Sequence, residues 1–240
     1  VRVVEHDPVL TGRMLKVVNS AYFGLSRRIS SVKEALAFIG LNPLKNVALT
    51  LAAVGAIPQR NEAGLSVDEF LERSLSVGAT SRWLASRSGL GIRDSDRAFL
   101  AGLLHDFGLI VLALGRPQFY RDLMAERRVD PRPIHEIELE VLGTDHYELG
   151  ALVAEKWKLE VKIAETIRHQ QTNAEEVNRT ALMDCLWASV SLVEDLKRNQ
   201  GERAAPDSLK DNLGESYASL LTNQVEIEQA IERTQIFRQV

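Results

Sequence analysis

The sequence predicts an all-α protein, and three observations carry that prediction. Apolar residues recur at helical spacing through most of the 240-residue chain. Helix-starting and helix-stopping residues punctuate those stripes at helix-sized intervals. No strand-like alternation of useful length interrupts them, and no repeat of fixed period is visible.

The elements follow in order. Asp7-Pro8 pairs an N-cap with proline at the first helical position, and Leu10, Met14, Val17 and Val18 then line one face. Ser31-Val32-Lys33-Glu34 fits a capping box, with Val32, Ala35, Leu36 and Ile39 as its stripe and Gly40 as its stop. Asn42-Pro43 opens a third helix carrying Leu44, Val47, Leu51 and Val54. Pro58 to Gly64 is polar and is the best internal boundary. Ser66 caps a long helix through about Arg87, which Gly89 and Gly91 end. Ser95 begins the next helix, expected to run on through the apolar stretch Phe99 to Leu112.

Pro117, Pro131 and Pro133 divide the middle of the chain into short helices. Asp145-His146-Tyr147-Glu148 fits a second capping box, opening a helix through Trp157. Val161 to about Gln170 forms another. Glu176 to Lys197 is expected as one long helix with Ala181, Leu182, Cys185, Leu186, Val190 and Val193 inward. Asn199 to Pro206 is a polar linker. Beyond it lie a patterned segment, Leu209 to Leu221, and a mostly polar helix from about Asn223. That last helix has only a thin apolar stripe (Val225, Ile227, Ile231, Ile236), so it should dock on the core or on another subunit. Three parts are expected: an N-terminal helical subdomain over 1–60, a helical core over 61–200 and a helical tail over 201–240.

Composition narrows the function classes. Hydrophobic residues make up 45% and charged residues 26%, ordinary for a globular protein with a sizeable core. A net charge of -4 argues against general nucleic-acid binding, which needs a basic excess. The single cysteine, Cys185, excludes an intrachain disulfide and sits in an apolar stripe as a core residue. The apolar stretches are too short or too interrupted to span a bilayer, and a cytoplasmic protein is expected. The first residue is Val, which suits a processed product or a piece of a longer protein. There is no phosphate-cradling glycine loop, nucleophile elbow, Cys-x-x-Cys pair or His-Glu-x-x-His.

The most informative feature is the pair His105-Asp106 inside the apolar run. Burying an imidazole and a carboxylate is costly unless each finds a partner. A divalent metal would serve both, because it takes imidazole nitrogen and carboxylate oxygen together. An internal hydrogen bond or ion pair would serve equally. Adjacent helical residues point about 100° apart, so both could reach one ion, but a complete site needs ligands from other helices.

Other segments read as structural. His146 sits in a first helical turn and His169 at a helix end, where polar residues are favoured without any function. Asn19-Ser20-Ala21-Tyr22-Phe23-Gly24 stops the first helix and pins a loop to the core. Ser31 to Leu51 has helix-turn-helix spacing, but the second helix offers only Lys45, Asn46 and Thr50 as polar groups and is a packing helix.

The order of these motifs resembles the HDOD family, the HD-related output domain of bacterial signalling proteins. The matching residues are Asp7-Pro8-Val9-Leu10-Thr11, Asn19 to Gly24, Ile29-Ser30-Ser31-Val32 with Ala35, Ile39-Gly40-Leu41, the His105-Asp106 helix, Asp145-His146 with Gly150, Trp157-Lys158-Leu159 and Ile167-Arg168-His169. The resemblance implies an HD-type helical bundle preceded by a smaller helical subdomain. It also implies where the metal ligands of HD phosphohydrolases would fall. Glu72-Arg73-Ser74-Leu75-Ser76-Val77 looks like the early-helix stretch, with Arg73 where a ligand His would be. On the late helix the ligand Asp falls near Glu194, with Asp195 beside it. The middle pair is kept, one outer ligand is lost and the other is changed or displaced.

A guanidinium is always charged and cannot ligate a metal. Arg73 is therefore expected to replace an ion as the counter-charge of Asp106; the alternative is that it faces solvent and Asp106 bonds to backbone. His146 and His169 are expected to join His105 and Asp106 in one polar pocket. The reading that follows is a non-catalytic signal-transduction or regulatory domain that binds a protein partner or a signalling ligand. No cofactor, nucleic acid or membrane is expected, and a homodimer is allowed. The alternative is a metal-dependent HD-type phosphohydrolase or phosphodiesterase using His105, Asp106, His146, His169 and Glu194, with a divalent metal on His105 and Asp106.

Overall fold

Capping chemistry sets where the helices begin in the computed structural model, which describes residues 11–12, 14–15, 18–19, 27–55, 61–126, 132–172, 177–198 and 205–232. No strand occurs among the described residues. Helix α1 (Val32–Ile39) starts on Ser31, whose hydroxyl accepts from Glu34 N at 3.1 Å. The Glu34 carboxylate reaches back to Ser30 N at 2.8 Å, one residue further than a capping box requires. Gly40 at φ 84° stops the helix, and α2 (Leu41–Gly55) begins at once, one residue before the expected Asn42. Asn19 pins the preceding turn to Ile29: its side chain donates to Ile29 O at 2.6 Å and accepts from Ile29 N at 2.5 Å. Met14, Val18, Ile29, Val32, Ala35, Leu44 and Val47 bury one another in an N-terminal cluster of their own. Asp7-Pro8, Leu10, Val17 and the loop from Ser20 to Gly24 lie outside the described residues.

Helix α3 (Val67–Arg87) starts on Ser66, as the sequence predicts. Helix α4 (Ile92–Leu104) starts earlier than Ser95; Gly91 is its N-cap, and Ser95 Oγ turns back to Gly91 O at 3.2 Å. Here one expectation is corrected. The apolar run is not a single helix through His105-Asp106. Helix α4 ends at Leu104, His105 caps it, and Asp106 is the N-cap position of a separate helix α5 (Phe107–Gly115). A stretch from Ile92 to Gly115 has the length and apolarity of a membrane span, but this break divides it and two thirds of its most apolar 18-residue window is buried inside the protein. Periodicity could not see the break, because the residues on both sides are equally apolar.

The remaining helices are α6 (Pro117–Glu126), α7 (Ile134–Leu142), α8 (His146–Lys156), α9 (Val161–Arg168) and α10 (Ala181–Arg198). Asp145 caps α8 by accepting from Glu148 N at 2.8 Å. Helix α10 starts later than the expected Glu176: residues 177–180 are non-helical and carry Arg179 inward. The tail forms α11 (Ser208–Leu213), α12 (Tyr217–Leu221) and α13 (Gln224–Glu232). It docks on the core, with Leu209, Leu213, Tyr217, Leu220 and Ile227 packed against Leu84, Ala98, Leu182 and Leu192. Packing therefore runs across the expected boundary at residue 200. Val225 stays exposed, and Ile236 lies outside the described residues.

Candidate functional site

Two close glycine crossings bring the site together. A Cβ on Gly102 would fall 2.7 Å from Gly78 Cα, so α3 and α4 cross in backbone contact. A Cβ on Gly108 would fall 1.9 Å from His146 O and 2.6 Å from Gly150 N, so α5 lies directly against the first turns of α8. Only glycine permits either approach. The first crossing sets Arg73 of α3 beside the α4–α5 turn, and the second sets His146 on its other side.

Asp106 is the centre of the cluster. It caps nothing with its side chain, although it stands at the N-cap of α5. Its carboxylate faces Arg73, whose Nε donates to Oδ2 at 3.0 Å. The same guanidinium donates through Nη2 to Glu194 Oε1 on α10 at 2.8 Å. The Arg73–Asp106 contact expected from the sequence is thus present, and Arg73 bridges two carboxylates. His105 Nε2 lies 3.0 Å from Asp106 Oδ2, and His146 Nε2 lies 3.8 Å from Oδ1. Burial opposes the charge on Asp106, but His105, Arg73 and His146 outweigh it and hold its carboxyl well below the usual carboxylate range. Burial likewise opposes charge on Arg73, and Asp106 and Glu194 together raise its pKa above the ordinary arginine value.

Both imidazoles are oriented from behind. His105 Nδ1 is 2.7 Å from Gly102 O, and a carbonyl only accepts, so Nδ1 carries a proton. His146 Nδ1 is 2.5 Å from Glu138 Oε2, which also accepts from His146 N at 2.8 Å. Glu138 is completely buried on α7, and its other oxygen accepts from Tyr120 OH. Tyr147 is held between two imidazoles, with ring centroids 4.0 Å from His146 and 5.1 Å from His135. Burial and the nearby Asp106 charge push the Tyr147 phenol well above its usual pKa.

His169 does not join this cluster directly. It caps α9, its ring faces Thr172 Oγ1 at 3.4 Å, and its carbonyl accepts from Arg179. The neighbouring Gln170 makes the link instead, donating to His105 O at 3.0 Å. Asp195, beside Glu194, turns away and accepts from Tyr217 OH of the tail at 2.6 Å.

The donor set fits a divalent ion only in part. Two rings with Nδ1 tied to acceptors and Nε2 toward one carboxylate have the orientation that metal-binding histidines need. A guanidinium, however, lies between Asp106 and Glu194, and its charge opposes a second cation there. Among the described residues no three His, Cys, Asp or Glu side chains converge as a metal-binding group. As folded, the cluster is an ion network closed by arginine.

Sequence reasoning missed Glu138, Tyr120, His135, Tyr147 and Gln170. A signal for Glu138 was present, since it occupies an inward position of α7 beside Ile134 and Ile137. A carboxylate in an apolar stripe is the same anomaly that marked Asp106.

Residues 1–173 match the model of the HDOD domain. The chain belongs to the HDOD family. An HDOD domain protein of unknown function from Geobacter sulfurreducens has the same fold, with a TM-score of 0.69 at 24% identity over 96% of this chain and 84% of its own. A candidate phosphohydrolase from Shewanella amazonensis SB2B superposes with a TM-score of 0.72 at 24% identity over 97% of this chain and 84% of that one. A candidate signal-transduction protein from Marinobacter aquaeolei VT8 gives 0.71 at 24% identity, covering all 100% of this chain and 54% of that protein. An uncharacterized Treponema pallidum (strain Nichols) protein is 27% identical over 197 residues, 80% of this chain and 37% of its own length. The HDOD chain therefore spans well under half of that relative. At these identities the structural neighbours establish the fold alone.

Proposed function

We propose that this HDOD domain is a non-catalytic signalling or regulatory module that acts by binding a protein partner or a small ligand. The observation that carries the reading is Arg73 bridging Asp106 and Glu194. The guanidinium supplies the counter-charge that a metal would otherwise supply, which leaves a partly exposed network of ion pairs able to exchange partners. The side chains of Arg73, Asp106 and Glu194 are 29%, 14% and 22% exposed, so the network opens to solvent. A cytoplasmic location and function without a cofactor belong to the same proposal.

The alternative, a metal-dependent phosphohydrolase, draws support from the orientation of His105 and His146 toward Asp106. It would require Arg73 to leave both carboxylates. The test is titration of chelator-free protein with Mn²⁺, Mg²⁺ and Zn²⁺, followed by melting, with assays on generic phosphodiesters and nucleotides. No stoichiometric uptake and no turnover is the expected result. Stoichiometric metal with turnover lost in Asp106→Ala overturns the proposal in favour of the enzyme.

A further inference from the structure

The two helices joined by the Arg73–Glu194 ion pair are the same two that the C-terminal segment clasps. On α3, Arg87 donates from Nε to Glu215 at 2.6 Å and from Nη1 to Glu226 at 3.3 Å. Helix α13 packs along α3, with Ile227 fully buried and Ile231 lodged between the two main core clusters. On α10, Asp184 Oδ2 accepts from Asn212 at 2.6 Å and Asp195 Oδ2 accepts from Tyr217 at 2.6 Å. Glu194 and Asp195 are consecutive on α10, so they point about 100° apart. One reaches the ion network and the other the tail. A shift or rotation of α10 that relieves one contact moves the other.

We propose that residues 205–232 form a strap coupled to the Arg73–Glu194 pair, so that a partner or ligand drawing either side chain away loosens the strap. This rests on the reading of the network as a binding site. Two clasps hold one helix pair through adjacent residues of α10, so loss of either lets that helix shift and loosens the other. The family model ends at residue 173, so both the strap and α10 lie beyond the matched region. The strap gives the ion network a mechanical output on another face of α10.

Amide hydrogen exchange on the full chain, followed by mass spectrometry, tests the coupling without any ligand, so its outcome is separate from that of the metal titration. Glu194→Gln removes the charge and keeps the shape. Exchange over 208–232 should then rise about threefold or more, with α1 and α2 unchanged. Tyr217→Phe removes one hydroxyl from the strap and should reciprocally speed exchange around Arg73 in α3. A rise confined to the neighbours of residue 194, or a uniform rise along the chain, overturns the proposal. If Glu194→Gln folds poorly, Tyr217→Phe decides alone: faster exchange at the first turns of α3 supports the coupling, and an unchanged α3 overturns it.

Discussion

Two arginine–carboxylate pairs flank helix α10, and they are built in opposite ways. The side chains of Arg179 and Asp184 are both 0% exposed, with Nε donating to Oδ1 at 2.7 Å. The rest of that guanidinium donates to the carbonyls of His169, Thr172 and Met183, and Asn212 satisfies the second oxygen of Asp184. The pair is closed, one charge to one charge, and its role is to tie the α9–α10 connection and the tail together. Arg73 instead faces two carboxylates, and the network around it is partly open to water. A closed buried pair is a structural joint, whereas an open one with surplus carboxylate has exchangeable contacts. The same residue types therefore serve different ends according to how many of their hydrogen-bonding positions the fold fills.

The sharpest way to break the comparison is to remove each arginine. Arg179→Met leaves Asp184 buried with no counter-charge and should cost about 3–5 kcal/mol in urea unfolding. A loss under about 1 kcal/mol would mean that the closed pair is not a joint. Gly108→Ala comes next. Its methyl group would collide with His146 O, and the displacement of α5 from α8 should cost about 1–3 kcal/mol. It should also detach His146 from Asp106, seen as a changed imidazole NMR shift.

Arg73→Ala should cost less, about 1–2 kcal/mol, because water partly replaces the guanidinium. Its pH signature is distinctive. Asp106 has a folded pKa below its unfolded value of about 4, so its stabilising contribution is present above that pH. The contribution is lost as pH falls through the lower folded value. Without Arg73 the folded value rises, and the acid-unfolding midpoint followed by circular dichroism should move to higher pH. An unmoved midpoint would show that the two histidines alone hold Asp106 ionised. The smallest effect belongs to His169→Ala, whose ring is outside the cluster; its melting temperature should stay within the equivalent of about 0.5 kcal/mol.

Much of the fold was legible from local chemistry. The caps at Ser31, Ser66 and Asp145, the stop at Gly40 and the apolar stripes all act within a few residues, and each is where the sequence predicts it. The Arg73–Asp106 contact was legible too, because a buried carboxylate needs a counter-charge and family resemblance aligned an arginine with it. The break at His105-Asp106 was hidden, since apolar periodicity is continuous across it.

What the sequence determined by itself, then, is helical class, most helix boundaries and the presence of an unusual polar pair in an apolar run. Tertiary structure decided who meets whom. It placed Glu138 behind His146, turned His169 toward Thr172, sent Asp195 to the tail and Glu194 to Arg73. Helix signals are short-range, set by hydrogen bonds to residues three or four positions away. Partners such as Arg73 and Glu194 stand 121 positions apart, and only the way helices pack brings them within hydrogen-bonding reach.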